Sequence, residues 1–194
     1  MNKRVVCLLL SLLFVFFVCI SIPFLAQHNY SKEEALKVIG MIEQIQVEQL
    51  QSSGSGNLQD VSVTESELNS YIAYRIDVEH SDIMKELRLK FFDKNRVEGK
   101  IFIDLRGQDL PKVLRPEMNL YFDGTLEIEE RKVRLALKKL FLEDQEIQPS
   151  VLDLIIYIGS KIQGEEPFSI SDWWELPYGI KDVKTEKGKA IFYY

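Results

Sequence analysis

The alternation of apolar and polar residues in the middle of the chain constrains the fold more than any other feature. Apolar residues or glycine occupy every second position from 87 to 91 and again from 97 to 105, on either side of the turn residues Asp93-Lys94-Asn95. Successive side chains of a strand point to opposite faces, so this pattern predicts an antiparallel hairpin with one buried face. The short loop fixes the register of the predicted pairs, which are Phe91–Val97 and Leu87–Ile101 on the buried face and Lys90–Glu98 on the other.

A second hairpin is predicted after the loop at 106–117. Apolar residues or glycine alternate from 120 to 128 and return from 133 to 137, around a turn at Glu130-Arg131. The alternation shifts after Lys138-Lys139, which indicates a β-bulge, and we therefore expect a curved antiparallel sheet. The register that satisfies both hydrophobicity and charge gives the pairs Ile128–Val133, Leu126–Leu135, Glu127–Arg134 and Asp123–Lys138.

A helix before these hairpins begins at the capping box Ser31–Glu34 and ends at Gln51. Its apolar residues span barely two heptads, fewer than the three or four that indicate a coiled coil. Two interpretations stay open: a stalk or short coiled coil, or an amphipathic helix packed on its own domain, and the short apolar repeat favours packing or a plain spacer. A linker rich in serine and glycine follows at 52–57, so we expect the domain proper to begin near Leu58.

Two further long helices are predicted in the domain. The capping box Thr64–Glu67 opens the first, and Pro149, which suits a first helical turn, begins the second. A short helical segment is expected at Ile170–Glu175. A final hairpin with a turn at Lys187-Gly188 ends the chain.

The N-terminal run Val5–Ala26 has no charged residue. As a helix it would rise about 33 Å, enough to cross a hydrocarbon core of ~30 Å. A cleaved secretory signal is the alternative, but its apolar stretch is usually ~7–15 residues, and cleavage at the end of this run would place Phe24 where a small residue is required. Because Lys3 and Arg4 precede the run, we expect a cytoplasmic N-terminus and export of residues 27–194.

These features divide the chain into four parts and define the expected fold. The parts are a cytoplasmic tail at 1–4, a transmembrane anchor or uncleaved signal at 5–26, a stalk helix and linker at 27–57, and a periplasmic or extracellular domain at 58–194. The expected fold class is α+β: an N-terminal transmembrane helix and a stalk helix, then a curved antiparallel β-meander packed against two long helices.

Composition and motifs exclude several kinds of function. Residues 27–194 contain 22 basic and 30 acidic residues, a net charge of −8, so the domain lacks the positive surface of a general nucleic-acid binder. Cys7 and Cys19 both lie in the apolar run, which excludes disulfides and cysteine chemistry from the domain. The acidic loop at 77–82 is the densest set of possible metal ligands and fits a solvated loop better. No nucleotide or nucleophile motif occurs, and we expect no catalytic residue, metal or cofactor.

Two segments resemble small exported domains of the tubular lipid-binding (TULIP-like) class. They are the strand and capped helix at Val61–Ile76 and the segment Leu176–Ile180 before the final hairpin. The resemblance covers residues 58–194. It implies a curved sheet that wraps a long helix and leaves an apolar groove for lipid.

We therefore expect a membrane-anchored, non-enzymatic protein that binds lipid or another hydrophobic ligand between the sheet and the helices. An alkyl chain needs no polar contact there, because each buried CH₂ contributes about 0.8 kcal/mol. Trp173 and Trp174 are expected to contact the membrane or form a lid, or else to anchor the core. The residues expected to line the groove, all of which would also suit a closed core, are Leu68, Ile72, Ile76, Leu126, Leu135, Leu152, Ile155 and Ile156.

A function from another class stays open. The chain could be a structural or assembly protein of the cell envelope, which holds protein partners and has no ligand cavity. The expected partners are thus the membrane together with lipid or other envelope proteins. The two functions differ in whether the apolar faces surround a removable ligand or contact another protein.

Overall fold

The computed structural model describes residues 30–51, 58–79, 83–107, 115–164 and 166–194. Within these ranges the three helices are α1 (Lys32–Gln51), α2 (Glu65–Val78) and α3 (Pro149–Gln163). The strands are β1 (Asp60–Thr64), β2 (Met84–Phe91), β3 (Arg96–Asp104), β4 (Glu117–Glu129), β5 (Lys132–Leu142), β6 (Gln145–Glu146), β7 (Trp174–Glu175), β8 (Asp182–Glu186) and β9 (Lys189–Tyr193).

The strands form two antiparallel sheets. The larger sheet has the order β2-β3-β4-β5-β6, and β7 pairs with β5 as well. The smaller sheet has the order β1-β9-β8, so the final hairpin joins the first strand and not the larger sheet. Six of the seven predicted pairs of the two large hairpins are confirmed, among them Phe91–Val97, Lys90–Glu98, Leu126–Leu135 and Glu127–Arg134.

The predicted bulge lies in β5 and bends the larger sheet. Asp123 pairs with Lys139, while the next residue, Gly124, pairs with Leu137. Lys138 is therefore the extra residue, and the predicted pair of Asp123 with Lys138 is wrong by one position. A bulge of this kind kinks its strand and increases the local twist, which accounts for the curl of the sheet.

Side chains of α2 cover the free edge of β2. Asn69 donates from Nδ2 to the carbonyl oxygen of Leu89 and accepts at Oδ1 from the Leu89 N–H, both at 2.8 Å. Glu65 accepts from the N–H of Phe91 at 3.0 Å. These side chains bond the backbone groups that a neighbouring strand would otherwise pair, and such protection opposes edge-to-edge association.

The first helix packs on the domain. Ala35, Val38 and Ile45 are buried on its inner face. The carboxylate of Glu34 accepts hydrogen bonds from the hydroxyls of Ser66 and Ser70 in α2, at 2.9 and 2.8 Å. Of the two interpretations of this segment, the packed amphipathic helix is therefore the observed one, and the stalk in the expected fold class is wrong.

The two predicted capping boxes have different outcomes. In α2, Thr64 accepts from the backbone of Glu67 and the Glu67 carboxylate accepts from the backbone of Thr64, so this capping box is confirmed. In α1, Ser31 accepts from the Glu34 N–H at 3.2 Å, but the Glu34 carboxylate bonds α2 and does not return to Ser31. The first cap is confirmed only in its serine half.

The expected fold class is wrong in its helices. The described ranges contain three helices of 20, 14 and 15 residues, where a stalk and two long domain helices were expected. None of these helices is both long and apolar enough to cross a membrane. The predicted transmembrane segment Val5–Ala26 lies outside the described residues. The segment predicted as a short helix at Ile170–Glu175 is a turn followed by β7, because its backbone pairs with β5.

Candidate functional site

An apolar cavity of about 140 Å³ lies between the larger sheet and the smaller sheet. Strands β2 to β5 line it on one side, and Val183, Ala190 and Phe192 of β8 and β9 line it on another. Leu68 of α2 and part of the segment that follows α3 complete the wall. All 16 lining residues are apolar, so the cavity offers a ligand dispersion contacts and no hydrogen-bond partner from a side chain.

Gly99, on the inner face of the larger sheet, lets the ring of Phe122 form one wall of this cavity. Gly99 pairs with Leu89 on one side and with Phe122 on the other. The ring of Phe122 covers Gly99 so closely that an added Cβ would lie 2.9 Å from Cε2 and still closer to Cζ and Cε1. The ring of Phe122, and no side chain from position 99, therefore forms this part of the wall.

A second, smaller cavity of about 50 Å³ lies next to the first. Its walls come from α1, α2, residues 177–180 and Phe192 of β9, and they include Ile42 and Tyr71. Three residues line both cavities: Leu68, Pro177 and Phe192. The two spaces are thus separated by a few side chains.

The strap, residues 168–180, passes along both cavities. Ile170, Leu176 and Pro177 line the large cavity, and Pro177 also lines the small one. The backbone of the strap is fixed to β5 by the pairing of β7, and to the turn before β5, where the N–H of Leu176 donates to the carbonyl oxygen of Arg131 at 2.8 Å. It is fixed to α3 as well, where Asp153 accepts from Ser169 Oγ at 2.9 Å.

The two tryptophans of the strap have different surroundings. Trp174 is only 3% exposed and packs edge-on against Phe168, with ring centroids 5.1 Å apart. Trp173 is half-buried, and the guanidinium of Arg134 lies 4.5 Å from the centre of its ring. Arg134 also donates to Glu127 at 2.8 Å, so the cation is held over the ring by a neighbouring strand.

The cavity brings together three of the eight predicted groove residues: Leu68, Leu126 and Leu135. The other five contribute to the main hydrophobic core and line neither cavity. Of these, Ile72, Leu152 and Ile155 are buried, and Ile76 and Ile156 are half-buried.

Sequence reasoning missed the lining residues of the strap and of the final hairpin. The alternation at Val183 and Thr185 is a signal for a strand, and so is that at Ala190 and Phe192. Nothing local shows that this hairpin joins β1, so its inner side chains could not be assigned to a cavity. The strap has no periodicity from which its contacts could be inferred.

Among the residues that the structure describes, no charged one lines either cavity, but Tyr71, which lines the small cavity, contacts a charged pair. Its hydroxyl accepts from Arg75 Nη1 at 3.2 Å, and Arg75 forms an ion pair with Glu79. Burial raises the pKa of Tyr71 above its ordinary value, although the Arg75 cation opposes the shift. Burial likewise raises the pKa of Glu79 against the opposing effect of Arg75. The phenol therefore stays neutral at physiological pH.

The acidic loop at 77–82 is described only in part. Asp77 accepts from the hydroxyl of Tyr30 at 3.2 Å, and Glu79 bonds Arg75, while His80 and Asp82 lie outside the described residues. Within the described ranges no group of three or more histidine, cysteine, aspartate or glutamate side chains could hold a metal ion.

Comparison with known proteins gives no match, either to a family model, to a curated protein or to a solved structure. The resemblance to the tubular lipid-binding class therefore stays a prediction from the sequence.

Proposed function

We propose that this protein binds the alkyl part of a lipid or of another hydrophobic ligand in the large cavity, without catalysing a reaction. The observation that carries the proposal is the cavity wall, in which all 16 residues are apolar. A water molecule is not stabilised in such a space, because it finds no hydrogen-bond partner from a side chain there. Apolar cavities of similar size in other proteins stay dry and accept apolar ligands.

The volume limits how much of a ligand is buried. A cavity of roughly 150 Å³ in another protein holds one benzene molecule, so the 140 Å³ here corresponds to about six carbon atoms. At about 0.8 kcal/mol for each CH₂, six buried carbons contribute roughly 5 kcal/mol before the cost of association. The rest of a longer ligand, including any polar group, then lies outside the large cavity.

The sequence supports a location outside the cytoplasm and beside a membrane. The uncharged run Val5–Ala26 follows Lys3 and Arg4, a pattern typical of exported chains. Membrane lipids would then be the nearest source of a hydrophobic ligand. The acidic character of residues 27–194 supports partners other than nucleic acids.

Photolabelling tests the proposal. The full chain is incubated with dodecanoic acid that carries a diazirine at its terminal carbon, irradiated and digested, and the labelled peptides are identified by mass spectrometry. We expect label on the strands that line the large cavity. Val183→Phe adds a ring inside the cavity and should reduce labelling severalfold.

The matched control is Leu154→Phe. Leu154 is 47% exposed on α3 and lines neither cavity, so the variant adds a similar ring elsewhere and should label like the wild type. Circular dichroism confirms that both variants fold. Equal labelling of Val183→Phe, Leu154→Phe and the wild type would contradict the proposal.

One observation favours the second candidate, an assembly protein of the cell envelope. Leu36, Val47 and Leu50 are exposed on α1, and Leu50 is 75% exposed. They form one stripe, because the spacings between them are close to whole numbers of helical turns. An assembly protein that acts through this stripe would show no labelling that depends on the cavity, so the same experiment separates the two functions.

A further inference from the structure

The two cavities share a thin wall. Leu68, Pro177 and Phe192 line both the large cavity and the small one. Phe192 also packs against both hydrophobic clusters of the domain, the main one and the one around Ile180 and Val183. Its ring therefore lies where the two halves of the interior meet.

We infer that the two cavities are the ends of one channel for a single unbranched alkyl chain, which passes the ring of Phe192 between the large cavity and the small one. The inference rests on the proposed function. It adds the chemical class of the ligand and the side chain that moves to admit it.

The character of the three shared residues makes Phe192 the movable part of the wall. The ring of Pro177 is fixed to the backbone, and Leu68 is buried on α2, where it also packs in the main core. Phe192 is half-buried on β9 and borders both cavities, so its ring has free space on two sides. A rotation of this one ring would join the two spaces.

The dimensions point to an unbranched chain. At the density at which roughly 150 Å³ holds six carbons, the 50 Å³ of the small cavity holds about two more. A group that enters it from the large cavity passes between three side chains, where a branched chain or a ring would have to displace several of them. A run of methylenes needs only Phe192 to move.

A ladder of chain lengths tests the inference. Straight-chain alkanoic acids of four to twelve carbons compete with the diazirine-bearing dodecanoic acid for labelling of the full chain. Each additional buried methylene should raise the affinity about fourfold. This gain in affinity should stop at the chain length that fills the available cavity volume. The channel predicts an end at about eight buried carbons, and the large cavity alone predicts about six.

Three variants locate this end point. Ile42→Phe fills the small cavity from α1 without touching the large one, and it should end the gain about two carbons earlier, a loss of about 16-fold for the longer acids. Leu36→Phe adds a similar ring on the exposed face of the same helix and should behave like the wild type. Phe192→Ala opens the wall and should end the gain no earlier than the wild type. The wild type and the three variants are compared under the same conditions, so the loss of acid to micelles or surfaces is equal for all four proteins.

The outcomes separate this inference from the proposed function. If the acids bind but the gain ends at the same length in the wild type, Ile42→Phe and Phe192→Ala, the channel is refuted and binding in the large cavity stands. If no acid of any length competes in the wild type, the proposed function fails, and the inference fails with it. An earlier end in Ile42→Phe alone supports the channel.

Discussion

Replacing Gly99 by alanine probes the packing that forms the cavity. Gly99 lies on the inner face of β3, under the ring of Phe122, and a Cβ at this position would be 2.9 Å from Cε2 of that ring and closer to two other ring atoms. Carbon atoms pack at about 3.5–4.0 Å, so the ring must shift by about 1 Å or more. Phe122 lines the large cavity, and we expect the ring to move into that free space.

Two effects should follow from Gly99→Ala. Overpacking of a core costs about 1–3 kcal/mol, and because the ring can move into a cavity we expect the lower part of this range, about 1–2 kcal/mol. Urea unfolding measures this loss. The displaced ring also occupies ligand space, so photolabelling with the diazirine-bearing dodecanoic acid should fall severalfold.

A second substitution and a control sharpen the test. Phe122→Leu removes the ring, so adding Gly99→Ala to it should cost less than in the wild type, and a double-mutant cycle should give a coupling of about 1 kcal/mol. Gly40→Ala on α1 is the control: nothing lies within 4 Å of its added Cβ, and the exchange should stabilise the helix by up to about 1 kcal/mol. If Gly99→Ala is as stable as the wild type and labels fully, the reasoning about this wall is refuted.

Three further predictions concern the contacts that hold the domain together. Asn69→Ala removes both hydrogen bonds to the backbone of Leu89 and should lower the free energy of unfolding, measured in urea, by about 1–3 kcal/mol. A loss below about 0.5 kcal/mol, less than one ordinary hydrogen bond contributes, would contradict the protection of this edge. Ser70→Ala removes a hydrogen bond to Glu34 and the acceptor of the Ser31 N–H. Hydrogen exchange of the backbone amides in α1 should therefore accelerate severalfold. Unchanged exchange would show that the apolar face alone holds this helix. Burial and the neighbouring Asp77 raise the pKa of Tyr30 to about 12, above the ordinary value near 10. The stabilisation of the wild type over Tyr30→Phe should therefore be complete below pH 10 and disappear between pH 10 and 12. A difference in urea stability that is constant over this interval would contradict the assignment.

The register of the large hairpins could be predicted because two independent patterns agree there. Hydrophobic alternation and opposite charges both require the Leu126–Leu135 and Glu127–Arg134 pairs, and a shift by one residue would violate both. The position of the bulge could not be fixed in this way. Lys138 and Lys139 carry the same charge, so either satisfies Asp123, and only the packing of the strand selects Lys139.

The second sheet could not be predicted from the sequence. Its β1–β9 pairs join residues about 130 positions apart, such as Val63 and Ala190, and no local pattern records such a pairing. The short strand β7 has only two residues, too few for any periodicity, and its pairing with β5 overrides the helix expected there. The sequence therefore indicates where the strap and the final hairpin occur along the chain, but not that they line the cavity.

The candidate site was predicted in part for a related reason. The periodicity of a helix shows which side chains are buried, but not what they face. Leu68 and Ile72 lie one turn apart on α2 and are both buried, yet only Leu68 reaches the cavity. The strand residues Leu126 and Leu135 were located correctly on the inner face because their cross-strand pairing was correct.

The most direct test of the central claim is the position of a bound alkyl chain. Hexanoic acid, whose chain the large cavity alone can hold, is prepared with a ¹³C-labelled terminal methyl and added to the full chain, and nuclear Overhauser effects from that methyl to protein side chains are recorded. Binding between the two sheets predicts contacts with the ring of Phe122 and with the methyl groups of Leu135 and Val183, and it predicts that the contacts with Phe122 and Leu135 are lost in Val183→Phe. Contacts confined to the exposed stripe of α1, at Leu36 and Leu50, would contradict the claim.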